Sequence, residues 1–248
     1  MAKKKGSSPK PTPTPTEPCF LPDSKDKIPW EEETNRFLGV ALSDCGSVYH
    51  TGLLYAQDNS SGQRTWYLLH HLWHRTTRKT RMPCNDRDGY TQYWWLRLPI
   101  SPIYQQAMAL NVRRIAETLI DEKISYGFSH PKGALTKNGK LTSDKYFLNC
   151  ATFVLAVLDP ICGLELIDET TWESRADDAE YIEKLLQYLK NDPSFRAHEK
   201  GFIESCKSAR IRASDLAAAC TLPAKDAPHS FKSTHARFLE LEPLLKGV

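Results

Sequence analysis

A cysteine at position 150 lies where nucleophilic chemistry is favoured. Cys150 stands between a polar loop and residues 151–158, which are apolar nearly all round and predict a buried helix. Unpaired N–H groups at a helix start, together with the helix dipole, stabilise a thiolate and lower its pKa. The same N–H groups can bind an oxyanion. We therefore predict that Cys150 is a nucleophile, with a small buried apolar residue as the alternative.

A thiol nucleophile generally needs a histidine base, and His50 is the candidate. His50 is a polar residue in an otherwise strand-like segment, residues 48–55. Gly52 lies two positions later and projects from the same strand face, where its missing side chain leaves room for a substrate or another backbone. We predict that His50 takes the proton of Cys150. The alternative is an ordinary hydrogen-bonded strand histidine.

A base of this kind needs a third polar residue that fixes its tautomer and orientation. The next predicted strand offers His70, His71 and His74. If the hairpin folds about residues 60–61, either His70 or His71 lies opposite His50, depending on a one-residue choice of register. We favour His70 as the orienting residue because it shares the more polar face with His74. His71 is the alternative.

The same histidines allow a different interpretation, in which His70, His71 and His74 bind a metal ion. On a strand, His70 and His74 share a face but are separated by about 13 Å. No nearby carboxylate or cysteine completes a ligand set. We therefore expect no metal and no other cofactor, and we keep the metal site as an alternative.

Two residues just before Cys150 are weaker candidates for the site. Asn149 is expected mainly to cap the helix, with substrate positioning as the alternative. Tyr146 is a candidate donor to an oxyanion.

Strands and then helices are expected to position these residues. Apolar alternation and aromatic-rich runs predict strands over residues 37–42, 48–55, 65–73 and 90–98. Helical spacing predicts helices that start at Ser101 and Pro102, at Cys150, near residue 177, weakly over residues 195–210, and at Ser214. Pro160 is expected to end the second of these helices. The predicted fold class is α+β, an antiparallel sheet packed on a central helix that begins at Cys150, with additional C-terminal helices.

Composition indicates how the chain is divided into domains, and it argues against nucleic-acid-binding and membrane-spanning proteins. Residues 1–30, rich in Pro, Thr and Lys, predict a disordered tail, and residues 31–248 predict a single catalytic domain with a helical C-terminal extension. A net charge of +3, from 33 basic and 30 acidic residues, argues against a nucleic-acid partner bound by a broad basic face. No apolar run approaches the roughly 20 residues needed to cross a bilayer.

The number and spacing of the cysteines, together with the N-terminal residues, indicate the cellular compartment. The seven cysteines are odd in number and form no CxxC pair, which favours reduced thiols over a disulfide framework. No apolar stretch follows the basic residues at positions 3–5, so no signal peptide is predicted. We expect a cytoplasmic protein, with signal-independent export left open.

Two short motifs resemble a known superfamily. His50-Thr-Gly followed by apolar residues, and later Asn149-Cys-x-x-Phe-Val, resemble the circularly permuted NlpC-type papain-like proteins, which include lecithin:retinol acyltransferase-like and PPPDE-type (deSUMOylase-like) members. In that group a histidine strand precedes the cysteine helix, as it does here. The resemblance covers about residues 36–160, and the C-terminal third matches no member that we can name.

The resemblance implies a papain-like fold and acyl transfer through a thioester. The implied activities are peptidase, amidase, isopeptidase or acyltransferase, and the implied substrate is a peptide, a protein or another acyl-containing molecule. We predict a cysteine hydrolase that uses Cys150, His50 and His70. The alternatives are an acyltransferase, a non-catalytic protein of the same fold, or the metal-binding protein described above.

Overall fold

The protein has an α+β fold, in which an antiparallel sheet is followed along the chain by helices. The computed structural model describes residues 19–21, 38–44, 48–82 and 92–246. The strands are β1 (Cys19–Leu21), β2 (Leu38–Asp44), β3 (Tyr49–Asp58), β4 (Arg64–Trp73), β5 (Thr76–Met82) and β6 (Gln92–Arg97). Their order in the sheet is β1-β6-β2-β3-β4-β5, so the short β1 extends five longer strands at one edge.

Six α-helices follow within the described residues. They are α1 (Pro102–Asp121), α2 (Cys150–Cys162), α3 (Asp178–Leu189), α4 (Glu199–Ser205), α5 (Ala213–Cys220) and α6 (Phe231–Lys246). None of the helices in the described ranges is both long and apolar enough to span a bilayer.

The two faces of the sheet have different neighbours. Val40, Leu53 and Leu69 belong to the main hydrophobic core, which also contains the buried side chains of α1, α2 and α5. We call this the helix face. Leu54 and Leu68 belong to a separate apolar cluster on the opposite face, which we call the reverse face. Because side chains alternate along a strand, each residue of β3 or β4 is assigned to one of these two faces.

The loop between β3 and β4 sets the register of this hairpin. Asp58 pairs with Arg64, which leaves a five-residue loop centred on Ser61. The side chain of Asn59 accepts hydrogen bonds from the backbone N–H groups of Ser61 and Gln63, at 3.0 and 2.8 Å. The hairpin predicted about residues 60–61 is therefore found, but its centre differs by half a residue. As a result the last two pairs of the ladder are Leu54–Leu68 and Leu53–Leu69.

Several sequence-based boundaries need correction. The helix that begins at Cys150 does not end at Pro160 but at Cys162. Gly163, with φ of 67°, provides a left-handed cap whose N–H bonds to the carbonyl of Asp159, so the turn that contains the proline is closed from its C-terminal side. The weak helix predicted over residues 195–210 is limited to α4.

Two strands lie where none was predicted. Strand β5 carries Arg78, Lys79 and Arg81 and forms an edge of the sheet, a place where charged side chains oppose aggregation. These charged residues interrupt the apolar alternation by which strands are predicted from sequence. Within the predicted tail, Cys19–Leu21 forms β1 and pairs with β6, so this part is a strand. The other residues of the predicted tail lie outside the described residues.

Candidate active site

Cys150 occupies the first turn of α2, and Asn149 is the N-cap. The side-chain oxygen of Asn149 accepts the N–H of Thr152 at 2.9 Å, and the Thr152 hydroxyl accepts the N–H of Asn149 at 2.9 Å. The amide nitrogen of Asn149 donates to the carbonyl of Ile211 at 2.9 Å. The Asn149 side chain is thus engaged in capping α2 and in holding the segment before α5.

The thiol of Cys150 is buried, with 8% of the residue exposed. Burial raises its pKa above the usual value, whereas the N–H of Thr51, the charge of Arg210 and the N–H groups at the start of α2 act to lower it. Burial has the larger effect. The net lowering of the Cys150 pKa expected from the helix start is therefore not found, because the helix start itself is buried.

Cys150 nevertheless differs from the other free cysteines that the structure describes. Burial raises the pKa of Cys162 and Cys206 to about 12, and it raises that of Cys220 further. Of these four thiols, Cys150 is the one whose ionised form is favoured by backbone N–H groups and by a guanidinium. This is the environment in which a thiolate can form during a reaction.

The structure brings His50 and His70 together. His50 Nε2 lies 3.0 Å from His70 Nδ1, and His70 Nε2 lies 2.9 Å from the hydroxyl of Thr80. Burial lowers the pKa of His50 to about 4. Burial, followed by the charge of His50, lowers that of His70 well below its usual value. At neutral pH the pair is therefore uncharged, and His70 links it to the half-buried hydroxyl of Thr80.

The His50–His70 pair lies on the reverse face of the sheet. His50 and Gly52 alternate with Leu53, whose side chain is on the helix face. A side chain at Gly52 would meet Cβ of His70 and a methyl group of Leu68, which shows that these three residues share the reverse face. Thr51, the residue whose N–H reaches Cys150, therefore presents its side chain to the helix face, and the His50 ring projects the other way.

His71 is the histidine of β4 that faces the helices. Its ring stacks on Tyr126 at a centroid distance of 5.8 Å and packs at 5.9 Å on Phe153, which lies one helical turn from Cys150. Its Nδ1 lies 3.2 Å from the hydroxyl of Thr77. Nε2 is buried and has no hydrogen-bond partner within the described residues.

Burial is the main cause of the low basicity of His71. It lowers the pKa to about 3, and the charges of His50 and His74 act in the same direction. The ring is therefore neutral, and in the tautomer that donates from Nδ1 to Thr77 the Nε2 atom carries a lone pair. That tautomer is the one needed to accept a proton.

The third histidine of the cluster has other partners. His74 Nδ1 accepts the backbone N–H of Tyr126 at 3.3 Å, and its ring lies 5.1 Å from that of His198. Since His70 and His71 project from opposite faces, the three histidines do not converge on one point. No group of three metal-ligating side chains is found among the residues that the structure describes.

Tyr146 is placed at a different cavity. Its hydroxyl donates to the carbonyl of Lys132 at 3.4 Å, and its ring lines a cavity of about 1180 Å³ whose lining does not include Cys150. The predicted role as an oxyanion donor therefore has no support in this geometry.

The aromatic hydroxyl that sequence reasoning missed is that of Tyr126, which interacts electrostatically with Cys150 and Tyr181. Only the tertiary fold reveals it, because Tyr126 lies in a loop 24 residues before Cys150.

A second cleft lies beside the start of α5, and Arg210 connects it to Cys150. Its volume is about 490 Å³, and its lining includes Tyr49, Tyr181 and Arg210. Tyr49 is close to Thr51 in β3, and Arg210 is the cation that acts on the Cys150 thiol. Cys150 itself is not among the residues that line this cleft.

Replacing Gly52 with alanine is expected to destabilise the fold by about 1–3 kcal/mol, the usual cost of overpacking. The new Cβ would lie 2.8 Å from Cβ of His70 and 2.9 Å from the carbonyl oxygen of Leu69, and backbone cannot move aside cheaply. Urea unfolding monitored by tryptophan fluorescence measures the change. Gly62→Asn is the control, since Gly62 has φ of 77° and an added Cβ meets no atom within 4 Å. A Gly52→Ala variant as stable as the parent would contradict the close approach of β3 and β4.

Known proteins offer no match to set beside this geometry. No protein-family model matches the chain, and no curated protein or solved structure does either. The short motifs around His50 and Cys150 therefore remain a resemblance to the permuted NlpC-type superfamily, and what they imply about activity is treated as a proposal.

Proposed function

We propose that the protein is a cysteine-dependent hydrolase that cleaves an amide or ester through a thioester on Cys150. The observation that carries the proposal is the environment of the thiol. Cys150 lies at the head of α2 among backbone N–H groups, with the guanidinium of Arg210 acting on it. A cleft that Arg210 lines gives a substrate a place to bind. These features suit a nucleophile better than a packing residue.

The base in this proposal is His71, which replaces the sequence-based choice of His50. His71 is on the helix face and packs on Phe153, one turn from Cys150, whereas His50 is bonded to His70 on the reverse face. Thr77 has the orienting role that was predicted for His70. His50, His70 and Thr80 then act as a hydrogen-bonded chain that supports the pairing of β3, β4 and β5.

The reaction has two halves. Nε2 of His71 accepts the proton of the Cys150 thiol as sulfur attacks the carbonyl carbon, and the N–H groups of Thr51 and Ala151 stabilise the oxyanion. The imidazolium returns the proton to the departing amine or alcohol, which leaves a thioester. His71 then removes a proton from water, hydroxide attacks the thioester, and the acid product leaves as the thiol is restored. An acceptor alcohol or amine in place of water would make the protein an acyltransferase.

The resting site contains a thiol and a neutral imidazole. Burial raises the pKa of Cys150 and lowers that of His71 to about 3, so a preformed thiolate–imidazolium pair is disfavoured. Proton transfer therefore occurs together with attack on the substrate. The raised pKa of Cys150 also favours the alternative of a non-catalytic protein, and reactivity distinguishes the two.

Acyl trapping tests the proposal. The protein is mixed with p-nitrophenyl acetate at pH 8, release of p-nitrophenolate is followed, and acid-quenched samples are analysed by peptide mass mapping. We expect a burst of release and one acetyl group on Cys150, both lost in Cys150→Ala. Cys162→Ala is the matched control, because Cys162 is a half-buried thiol at the other end of the same helix, and it should behave as the parent. Equal release by the parent and Cys150→Ala would overturn the proposed function.

A further inference from the structure

Three arginines are clustered at the starts of α3 and α5, and two of them are neutralised. Arg175 forms a bidentate pair with Asp215, at 2.6 and 3.1 Å. Arg212 bonds to both Asp177 and Asp178. These pairs fix the two helix starts against each other, and they account for the charges of the residues involved.

Arg210 is the exception in this cluster. Its Nη1 lies 3.7 Å from Asp178, which is too long for a hydrogen bond. That carboxylate already accepts Arg212 at 2.7 Å and the backbone N–H of Arg175 at 2.8 Å. The guanidinium of Arg210 lies over the ring of Tyr181, with Cζ 3.3 Å from the ring centroid. A guanidinium held in this way keeps its N–H groups available for a second partner.

The position of Arg210 is fixed relative to the nucleophile. Asn149, the residue before Cys150, bonds to the carbonyl of Ile211, the residue after Arg210. The side chain of Arg210 is only 12% exposed, yet it lines the 490 Å³ cleft. A planar cation with available donors that lines a cleft, on a segment bonded to the cap of the nucleophile's helix, is suited to bind a carboxylate in two parallel hydrogen bonds.

We propose that Arg210 makes this protein selective for acyl substrates that carry a carboxylate close to the reacting carbonyl. The proposal rests on the proposed function, since Cys150 is the group that reacts. The preferred substrate therefore has a carboxylate beside the carbonyl that reacts.

Two esters of the same chain length test this selectivity. Mono-p-nitrophenyl succinate has a carboxylate, and p-nitrophenyl butyrate does not. We expect the parent to be acylated on Cys150 faster by the succinate ester, and Arg210→Ala to lose that preference by about tenfold or more, as for a hydrogen bond between charged groups. Because the ratio of the two rates is measured, a general effect of Arg210 on the thiol cancels. Arg210→Lys should keep part of the preference, and Lys207→Ala, which removes an exposed cation nearby, should keep all of it.

The outcomes separate this inference from the proposed function. Equal acylation by both esters in the parent, or an unchanged preference in Arg210→Ala, would overturn the selectivity while leaving the nucleophile in place. No acylation of Cys150 by either ester would overturn the hydrolase itself. A second readout needs no turnover: free succinate should slow the reaction of Cys150 with iodoacetamide in the parent and not in Arg210→Ala. Absence of this protection in the parent would overturn the carboxylate site.

Discussion

Replacing His71 with alanine is expected to slow acylation of Cys150 by about 10²- to 10⁴-fold, the usual contribution of a positioned base. His71 is the imidazole on the face of the sheet that α2 covers, and its Nε2 is buried without a hydrogen-bond partner in the described part of the chain. The same substitution at His50 should leave most of the activity per folded molecule, because that ring is bonded to His70 on the reverse face. Rates with p-nitrophenyl acetate, corrected for the folded fraction from melting curves, measure both effects.

Further variants separate catalysis from folding. His71→Gln keeps a side chain that can donate to Thr77 and fill much of the space, so it should fold better than His71→Ala and be equally slow. Thr77→Val should cost less than loss of His71, since Thr77 orients the ring and takes no proton. The double variant lacking Cys150 and His71 should be little worse than Cys150→Ala alone, because the two act as a unit. A folded but inactive His50→Ala beside an active His71→Ala would return the role of base to His50.

The free energy of unfolding is expected to fall steeply as the pH is lowered below about 6.5. His50, His71 and His74 are buried, and burial lowers their pKa values to about 4, 3 and 4. In the unfolded chain these groups bind protons near pH 6.5. Between these values the unfolded state binds more protons than the folded state, so the free energy of unfolding falls as the pH falls. Above about pH 6.5 the full stability is present.

The expected slope is steep because these three histidines act together with His70 and His229, whose pKa values burial also lowers. Each contributes about 1.4 kcal/mol per pH unit once it is charged in the unfolded state and neutral in the folded one. Urea unfolding at intervals between pH 7.5 and 4.5 measures the slope. His50→Gln should reduce it by roughly one histidine's share, whereas His130→Gln should not, since the Glu169 carboxylate, 3.6 Å away, raises the pKa of His130 and gives it the opposite sign. A free energy of unfolding that does not change below pH 6.5 would contradict this prediction.

The start of α2 could be predicted from sequence because its signals are local. Asn149 is a capping residue, Thr152 completes the capping box, and a continuous apolar run follows. The faces of β3 and β4 could not be derived with the same certainty. They depend on a five-residue loop in which the side chain of Asn59 holds two backbone N–H groups, and a shift of one residue there exchanges the faces of His70 and His71.

Arg210 illustrates a different reason why sequence alone was insufficient. In the sequence it lies in a stretch that was predicted weakly as a helix, among other charged residues, and it has no motif of its own. Its importance comes from what its neighbours do, because Arg175 and Arg212 have carboxylate partners and Arg210 does not have one within hydrogen-bond distance. Such a difference is a property of the assembled structure.

The bond from Asn149 to the carbonyl of Ile211 changes how this chain can be divided. The motifs that resemble the permuted superfamily end near residue 160, and by that measure the remaining residues are an optional addition. The bond instead fastens the cap of the nucleophile's helix to a backbone 62 residues further along the chain. A fragment that ends after α2 would keep Cys150 but lose the carbonyl that anchors its cap and the guanidinium whose charge acts on its thiol. The part of the chain that holds the Cys150 site therefore extends at least to Ile211, just before α5.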